Sequence, residues 1–308
     1  MNDPDTSGKK RGRGLILAAA AILAVAAPYV STPISAQTRE PGYADRLYVI
    51  DGGLGHAGDA GAWMNMMVPP GTAIDISAYA HVIKHGDDWM MFDTSTNDII
   101  ATMPNGFGGA ANAIRWTKTQ AQTLLPQLKT IGITPDDIRY IGISHNHADH
   151  TGNISMFKKS TVLIQRREYE FITRNGGAPQ GPPNLPGAIF PRNYPVSLLD
   201  GDYDVFGDGS VILFYTGGHT LGSQIALVRL RNTGYVLLTG DAVHFRSNFD
   251  TRRIPRIQGA NEENDWLESV PRAFERIAAL LQFYKAQLWV HHDIADYKGR
   301  KFAPQFYD

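Results

Sequence analysis

Residues 138–153 read IRYIGISHNHADHTGN. The first seven form an apolar, β-branched run expected to be a buried strand. His145, His147, Asp149 and His150 are then crowded into six consecutive positions at its C-terminal end. His145 and His147 are two apart, so an extended backbone sends both the same way. Asp149 and His150 follow in a turn, where neighbouring side chains can diverge toward a second centre, and Gly152 allows a tight exit. That spacing suits two adjacent metal ions rather than one.

Three further stretches end the same way. LFYTGGHTLGS (213–223) places His219 in a glycine-rich loop after a strand. YVLLTGDA (235–242) places Asp241 directly after another, and QLWVHHD (287–293) places His291 and His292 after the last. A lone loop histidine is usually a surface or satisfied core residue. Four strand ends that each deliver imidazole or carboxylate are how a rigid scaffold converges ligands on one point. His56, His81 and His85 lack that context and read as structural.

Composition narrows the chemistry. The 308 residues hold no cysteine, which excludes disulfides, thiolate metal ligands and a cysteine nucleophile, so a metal here needs nitrogen and oxygen donors. The 29 basic and 30 acidic side chains leave a formal charge of -1, no electrostatic basis for binding nucleic acid or an anionic membrane.

The first 36 residues are of another kind. GKKRGRG (8–14) is basic, LILAAAAILAVAA (15–27) is uncharged and apolar, and PYVSTPISA (28–36) ends in small residues. This is the order of a secretory signal peptide, with cleavage expected after Ala36. The apolar run falls short of the roughly 20 residues a spanning helix needs, so no stable membrane anchor is expected after cleavage. Residues 37–308 then read as one catalytic domain of a periplasmic or secreted protein.

Strands are expected at 46–50, 78–85, 89–93, 138–144, 161–165, 211–216, 224–230, 235–241 and 287–293. Helical spacing is expected over 114–131, interrupted by Pro126, and over 269–284, with Ser269 as N-cap and Pro271 in the first turn. The glycine- and proline-rich stretches 51–63 and 175–195 read as loops, the second long enough to serve as a lid. Many strands with a few helices imply stacked sheets covered by helices.

HNHADH (145–150), GGHTLGS (217–223), LTGDA (238–242) and HHD (291–293) resemble the metallo-β-lactamase superfamily, and essentially the whole mature chain follows that pattern. GITPDDIRYIGISHNHADHTGN, VLIQRREYEF, DGDYDVF and SNFD are most similar to its N-acyl-homoserine lactonases. The resemblance implies an α/β protein, an αββα sandwich of two mixed sheets flanked by helices, with two Zn2+ ions. His145, His147 and His219 would hold one ion, Asp149, His150 and His292 the other, and Asp241 would bridge them. His292 is preferred to His291 because the lactonases have His-Asp after the last strand, matching His292-Asp293. The implied activity is opening of a lactone ester, with quorum quenching as its setting and a small lactone or ester as partner. Such a centre supplies an activated water near neutral pH. Asp149 would shuttle the proton to the leaving alkoxide, His244 would donate to the oxyanion or line the pocket, and Asp93 would buttress the ligand loop.

Two positions depart from the lactonases. His244 stands where they place a carbonyl-contacting tyrosine, and Ala148 where they place an aromatic lining the acyl pocket. An arylesterase or organophosphate triesterase on the same centre, or an iron-dependent sulfur oxidoreductase, therefore stays open. Trp63, Met64, Met66, Met67 and Val68, with Phe245 and Phe249, read equally as an adaptable apolar wall or as ordinary core.

Overall fold

The structure, a computed structural model, describes residues 41–64, 67–109, 114–174, 194–255 and 266–308. Two sheets run through them. The larger has eight strands, in spatial order β4 (Phe107–Gly108), β5 (Ile114–Thr117), β1 (Arg46–Ala57), β2 (Ile74–His85), β3 (Asp88–Phe92), β6 (Ile138–Gly142), β7 (Thr161–Gln165) and β8 (Val196–Leu199). The smaller has five: β13 (Gln287–Trp289), β12 (Gly234–Leu238), β11 (Gln224–Leu230), β10 (Val211–Tyr215) and β9 (Tyr203–Asp204). Both are mixed, since β3, β6, β7 and β8 pair in parallel, as do β12 and β13, while the rest are antiparallel.

Strand alternation sorts each sheet's side chains onto two buried faces. Leu47 and Val49 of β1 point inward with Tyr79, Met90 and Phe92 to meet Leu213, Val228, Val236, Leu238 and Trp289 of the smaller sheet. Tyr48 and Ile50 point outward and pack with Val82, Ile141 and Ile164 under Leu124 and Leu128 of α2 (Leu124–Thr130). Leu227 and Leu237 are covered by Val270, Phe274 and Ile277 of α6 (Trp266–Tyr284). Helix, sheet, sheet and helix thus form four layers. Strands buried on both faces read as continuous apolar runs, which is why β7 and β11 match the sequence-based bounds.

Three expectations need correction. The stretch 114–131 is no single helix: Ile114–Thr117 is β5, Gln120–Gln122 a 3₁₀ turn, and only Leu124–Thr130 is α-helical. Pro126 is the third residue of that helix, where no intrahelical donor is lost, so it neither kinks nor interrupts it. Among the described residues helix α6 already runs from Trp266, which puts Ser269 and Pro271 inside it rather than at its start. The stretch 51–63 is largely not a loop, because β1 runs on through Ala57 before α1 (Ala60–Trp63). Its glycines allow close packing: a Cβ on Gly55 would lie 2.6–2.8 Å from side-chain atoms of Ile114, Ile76 and Trp116. Most of the expected loop 175–195 lies outside the described residues.

Candidate metal centre

The site forms where the two sheets meet. Beyond β6 the chain runs through His145 to His147, the N-cap of α3 (Ala148–Thr151), whose single turn carries Asp149 and His150. The smaller sheet sends His219 from the β10–β11 loop, Asp241 from the 3₁₀ turn Gly240–Ala242 after β12, and His291 and His292 from beyond β13. Hydrogen bonds sew the sheets together here. Gln224 donates its backbone N–H to the Ser144 carbonyl (2.9 Å) and its side-chain amide to the Ile143 carbonyl (2.7 Å). The Ser77 hydroxyl donates to the His291 carbonyl and the Tyr79 hydroxyl to that of Val290, both at 2.7 Å.

Asp241 stands between two sets of donors. Its Oδ2 lies 3.4 Å from His219 Nε2 and 3.7 Å from His145 Nε2, while His219 Nε2 stands 3.0 Å from His147 Nδ1. Its Oδ1 lies 3.0 Å from both His150 Nε2 and His292 Nε2, the latter also 3.2 Å from Oδ2, and Asp149 Oδ2 closes that second set at 3.5 and 3.4 Å. Donors about 2.0–2.1 Å from a small tetrahedral cation lie ~3.3 Å from one another. Both sets match that spacing. His145 Nε2, His150 Nε2 and Asp241 Oδ1 are also buried with no well-aligned hydrogen-bond partner, as atoms left free for a ligand would be. The donors present therefore fit a metal.

The electrostatics ask for positive charge. Burial pushes the Asp149 and Asp241 carboxyls up, but His150 and His292 overcome it and hold both below the usual range, Asp149 at about 2. Burial likewise pulls His150 and His292 down, and Asp241 with Asp149 outweighs it, so both imidazoles are raised. His145 and His147, where burial prevails, are lowered and remain neutral donors. The buried Asp241 and the largely covered Asp149 thus recruit cationic partners, the role a divalent ion fills.

The orientation of each imidazole is set from behind. Asp93 Oδ2 holds His150 Nδ1 at 2.8 Å, while its Oδ1 accepts the Ser144 N–H at 2.7 Å. Asp93 does this from a left-handed backbone conformation, φ 60°, uncommon for a non-glycine residue. His292 Nδ1 donates to the Ser77 carbonyl at 2.7 Å, which frees Nε2 for the site. His291 also brings a ring nitrogen within 4.8 Å of His150 and His292. Its ring lies over that of His150 (centroids 4.4 Å, planes 35° apart) and against Tyr79 (4.6 Å).

His244 is buried, its Nε2 3.6 Å from Asp241 Oδ2 and without a hydrogen-bond partner, and burial lowers it to about 4. The ring meets Trp63 edge-on at 5.3 Å and His219 at 4.7 Å. Trp63 and Met64 join Ile76, Trp116 and Phe245 in an apolar cluster, with Trp116 6.1 Å from the His292 ring. Phe249 instead packs with Phe274 under α6, so it is core, and Met66 lies outside the described residues. His56, His81 and His85 stay structural: His56 pairs with Asp75, His81 is buried against Tyr79, and His85 pairs with Asp208. Sequence reasoning missed Glu168, a wholly buried carboxylate on α4 (Arg166–Thr173) that accepts backbone N–H groups from the ligand loops.

A family model described as the metallo-beta-lactamase superfamily matches residues 74–281. The chain belongs to that superfamily. The αββα sandwich is its fold, and this member carries His/Asp groups that could bind metal ions. The N-acyl homoserine lactonase AttM of Azorhizobium caulinodans is 29% identical over 244 residues, 77% of this chain and 90% of the relative. An N-acyl homoserine lactonase of Bacillus cereus is 28% identical over 246 residues, 79% of this chain and 92% of that one. A solved N-acyl homoserine lactone hydrolase, with the product N-hexanoyl-L-homoserine at its catalytic metal centre, superposes with a TM-score of 0.72 at 24% identity, covering 86% of this chain and 100% of that one. AidC, a dizinc quorum-quenching lactonase, does so with a TM-score of 0.56 at 16% identity over 87% of this chain and 97% of its own. At such identities the structural likenesses speak for the fold.

Proposed function

We propose that this chain is an exported, dinuclear zinc hydrolase that opens the ring ester of N-acyl homoserine lactones. Asp241 stands between the two donor sets, its Oδ2 beside His145 and His219 and its Oδ1 beside His150 and His292, and this position carries the two-ion reading. The relatives that are N-acyl homoserine lactonases over most of their length support the substrate class. His145, His147, His219 and Asp241 would hold one Zn2+, and Asp149, His150, His292 and Asp241 the other. Bound there, the pair supplies Lewis acidity and a water acidic enough to lose a proton near neutral pH.

The chain's own residues complete the reaction. Asp149 is the more exposed of the two carboxylates, at 14% against 4% for Asp241, so its oxygen can both contact substrate and hold a proton. It takes that proton from the attacking water and passes it to the ring oxygen as the carbonyl C–O bond breaks, leaving the open N-acyl homoserine acid. His244 Nε2, carrying its hydrogen, donates toward the carbonyl oxygen as negative charge develops. Trp63 fixes the His244 ring by its edge contact, and the cluster around Trp116 and Phe245 offers the acyl chain an apolar wall.

Proton release measured on a panel of lactones, open-chain aryl esters and phosphotriesters, with metal analysis of the same sample, tests this. N-acyl homoserine lactones should give the highest kcat/KM, with close to two zinc ions per chain. A preference for aryl esters or phosphotriesters would overturn the substrate assignment, and stoichiometric iron with oxygen uptake would overturn the hydrolytic one. Export predicts a periplasmic protein that begins at or near Gln37. Full-length chain in the membrane fraction would refute it.

A further inference from the structure

Glu168 has no place in the chemistry above, yet its side chain is fully buried, where a carboxylate is expensive unless its oxygens are satisfied. They are. One oxygen accepts the backbone N–H of Asn146 and the other that of Gly222, each at 2.9 Å. The two donors are not scattered. Asn146 lies between His145 and His147, while Gly222 follows His219, so one carboxylate spans two loops that descend from opposite sheets. Each loop carries donors of the set that includes His145, His147 and His219, and the hydrogen bonds of Glu168 go to the backbone of these loops. The approach is close by design of the sequence. A Cβ on Gly222 would stand 2.4 Å from the Glu168 Cβ and 2.5 Å from its backbone nitrogen, so only glycine lets the His219 loop reach the first turn of α4.

We infer that Glu168 is a positioning residue for the His145/His147/His219 metal site, a clasp that fixes the separation of its two ligand loops. The inference rests on the two-ion reading of the centre. A free loop could let His219 drift from His147, and the 3.0 Å approach of their ring nitrogens would open. The Asp149/His150/His292 site has its own supports in Asp93 and the Ser77 carbonyl and does not depend on the clasp.

Zinc titration of the stripped full-length mature protein against a chromophoric chelator tests this, on wild type, Glu168→Gln and Asp93→Asn, with thermal unfolding of each metal-free protein. The amide of Glu168→Gln can accept only one of the two N–H groups and presents hydrogens to the other. One of the two zinc equivalents should weaken by roughly 10–100-fold, the usual effect of an outer partner, while the second holds. Asp93→Asn should weaken one equivalent too, and the double variant should weaken both, since the two residues serve different ions. Unchanged titration in Glu168→Gln, equal loss of both equivalents, or a double variant no worse than either single would overturn the assignment. If Glu168→Gln does not fold, Glu168→Asp, which keeps the charge but shortens the reach, takes its place. Failure of both to fold would make Glu168 a fold staple and likewise overturn it. A wild type that binds one ion would instead defeat the two-ion reading itself.

Discussion

The two donor sets look equivalent by count but are held differently. In the set of Asp149, His150 and His292, both imidazoles have their far nitrogens fixed by strong acceptors, the Asp93 carboxylate and the Ser77 carbonyl. In the set of His145, His147 and His219, His145 rests its Nδ1 on the Ser144 hydroxyl at 3.0 Å, and the clasp acts on the backbone of the loops instead. A carboxylate behind imidazole raises its basicity and locks its ring, whereas a hydroxyl is a weaker acceptor that can rotate. One site is stiff through its side chains and the other through its loops. The second should release its ion more readily when a loop is disturbed.

The sharpest way to break the comparison is to remove what the two sets share. Asp241→Ala takes one oxygen from each, so both metal equivalents and activity should fall together, by more than the roughly 10–100-fold lost with an outer partner. Metal analysis after dialysis reads this, and retention of one full equivalent would mean that Asp241 serves a single ion. His244→Phe comes next. It should lower turnover roughly tenfold to a thousandfold with metal content unchanged, the effect of deleting one donor to the developing oxyanion. Lost metal would enlarge the donor set to include His244, and near-normal turnover would reduce it to a wall of the pocket. Asp93→Asn keeps size and tolerance of the left-handed backbone but weakens the acceptor. It should cost one metal equivalent roughly 10–100-fold in affinity and spare the other. His291→Ala should have the smallest effect on metal if His292 is the last ligand, since the His291 ring packs between Tyr79 and His150. Its main cost should appear as a lower Tm, since it leaves a cavity behind His150. If His291→Ala strips an ion while His292→Ala does not, the last ligand is one residue earlier than assigned.

Much of this arrangement is legible in the chain because each donor follows a strand buried on both faces, and such strands announce themselves as apolar runs. The convergence of His145, His147, Asp149, His150, His219, Asp241 and His292 then follows from strand ends meeting. Helical spacing misled at 114–131, where Ile114 and Trp116 alternate in a short strand at the sheet's rim and a helix begins only after the turn. Glycine misled at 52–55, where it serves close packing instead of a turn. Glu168 was invisible for another reason. In QRREYEF it looks like its neighbour Glu170, which is exposed, and only the fold brings Asn146 and Gly222 to it from 22 and 54 residues away.

The donors of each set come from both sheets, from β6 on one side and from the β10–β11 loop, β12 and β13 on the other. A cation seated there is therefore a cross-link in the folded chain that the unfolded chain cannot reproduce. Whatever binds only the folded form adds to its stability by mass action, about 2.7 kcal/mol for each site at a hundredfold excess over its dissociation constant. The lifetime of this protein should consequently track the supply of metal around it, with scarcity read out first as proteolysis rather than as a slower enzyme.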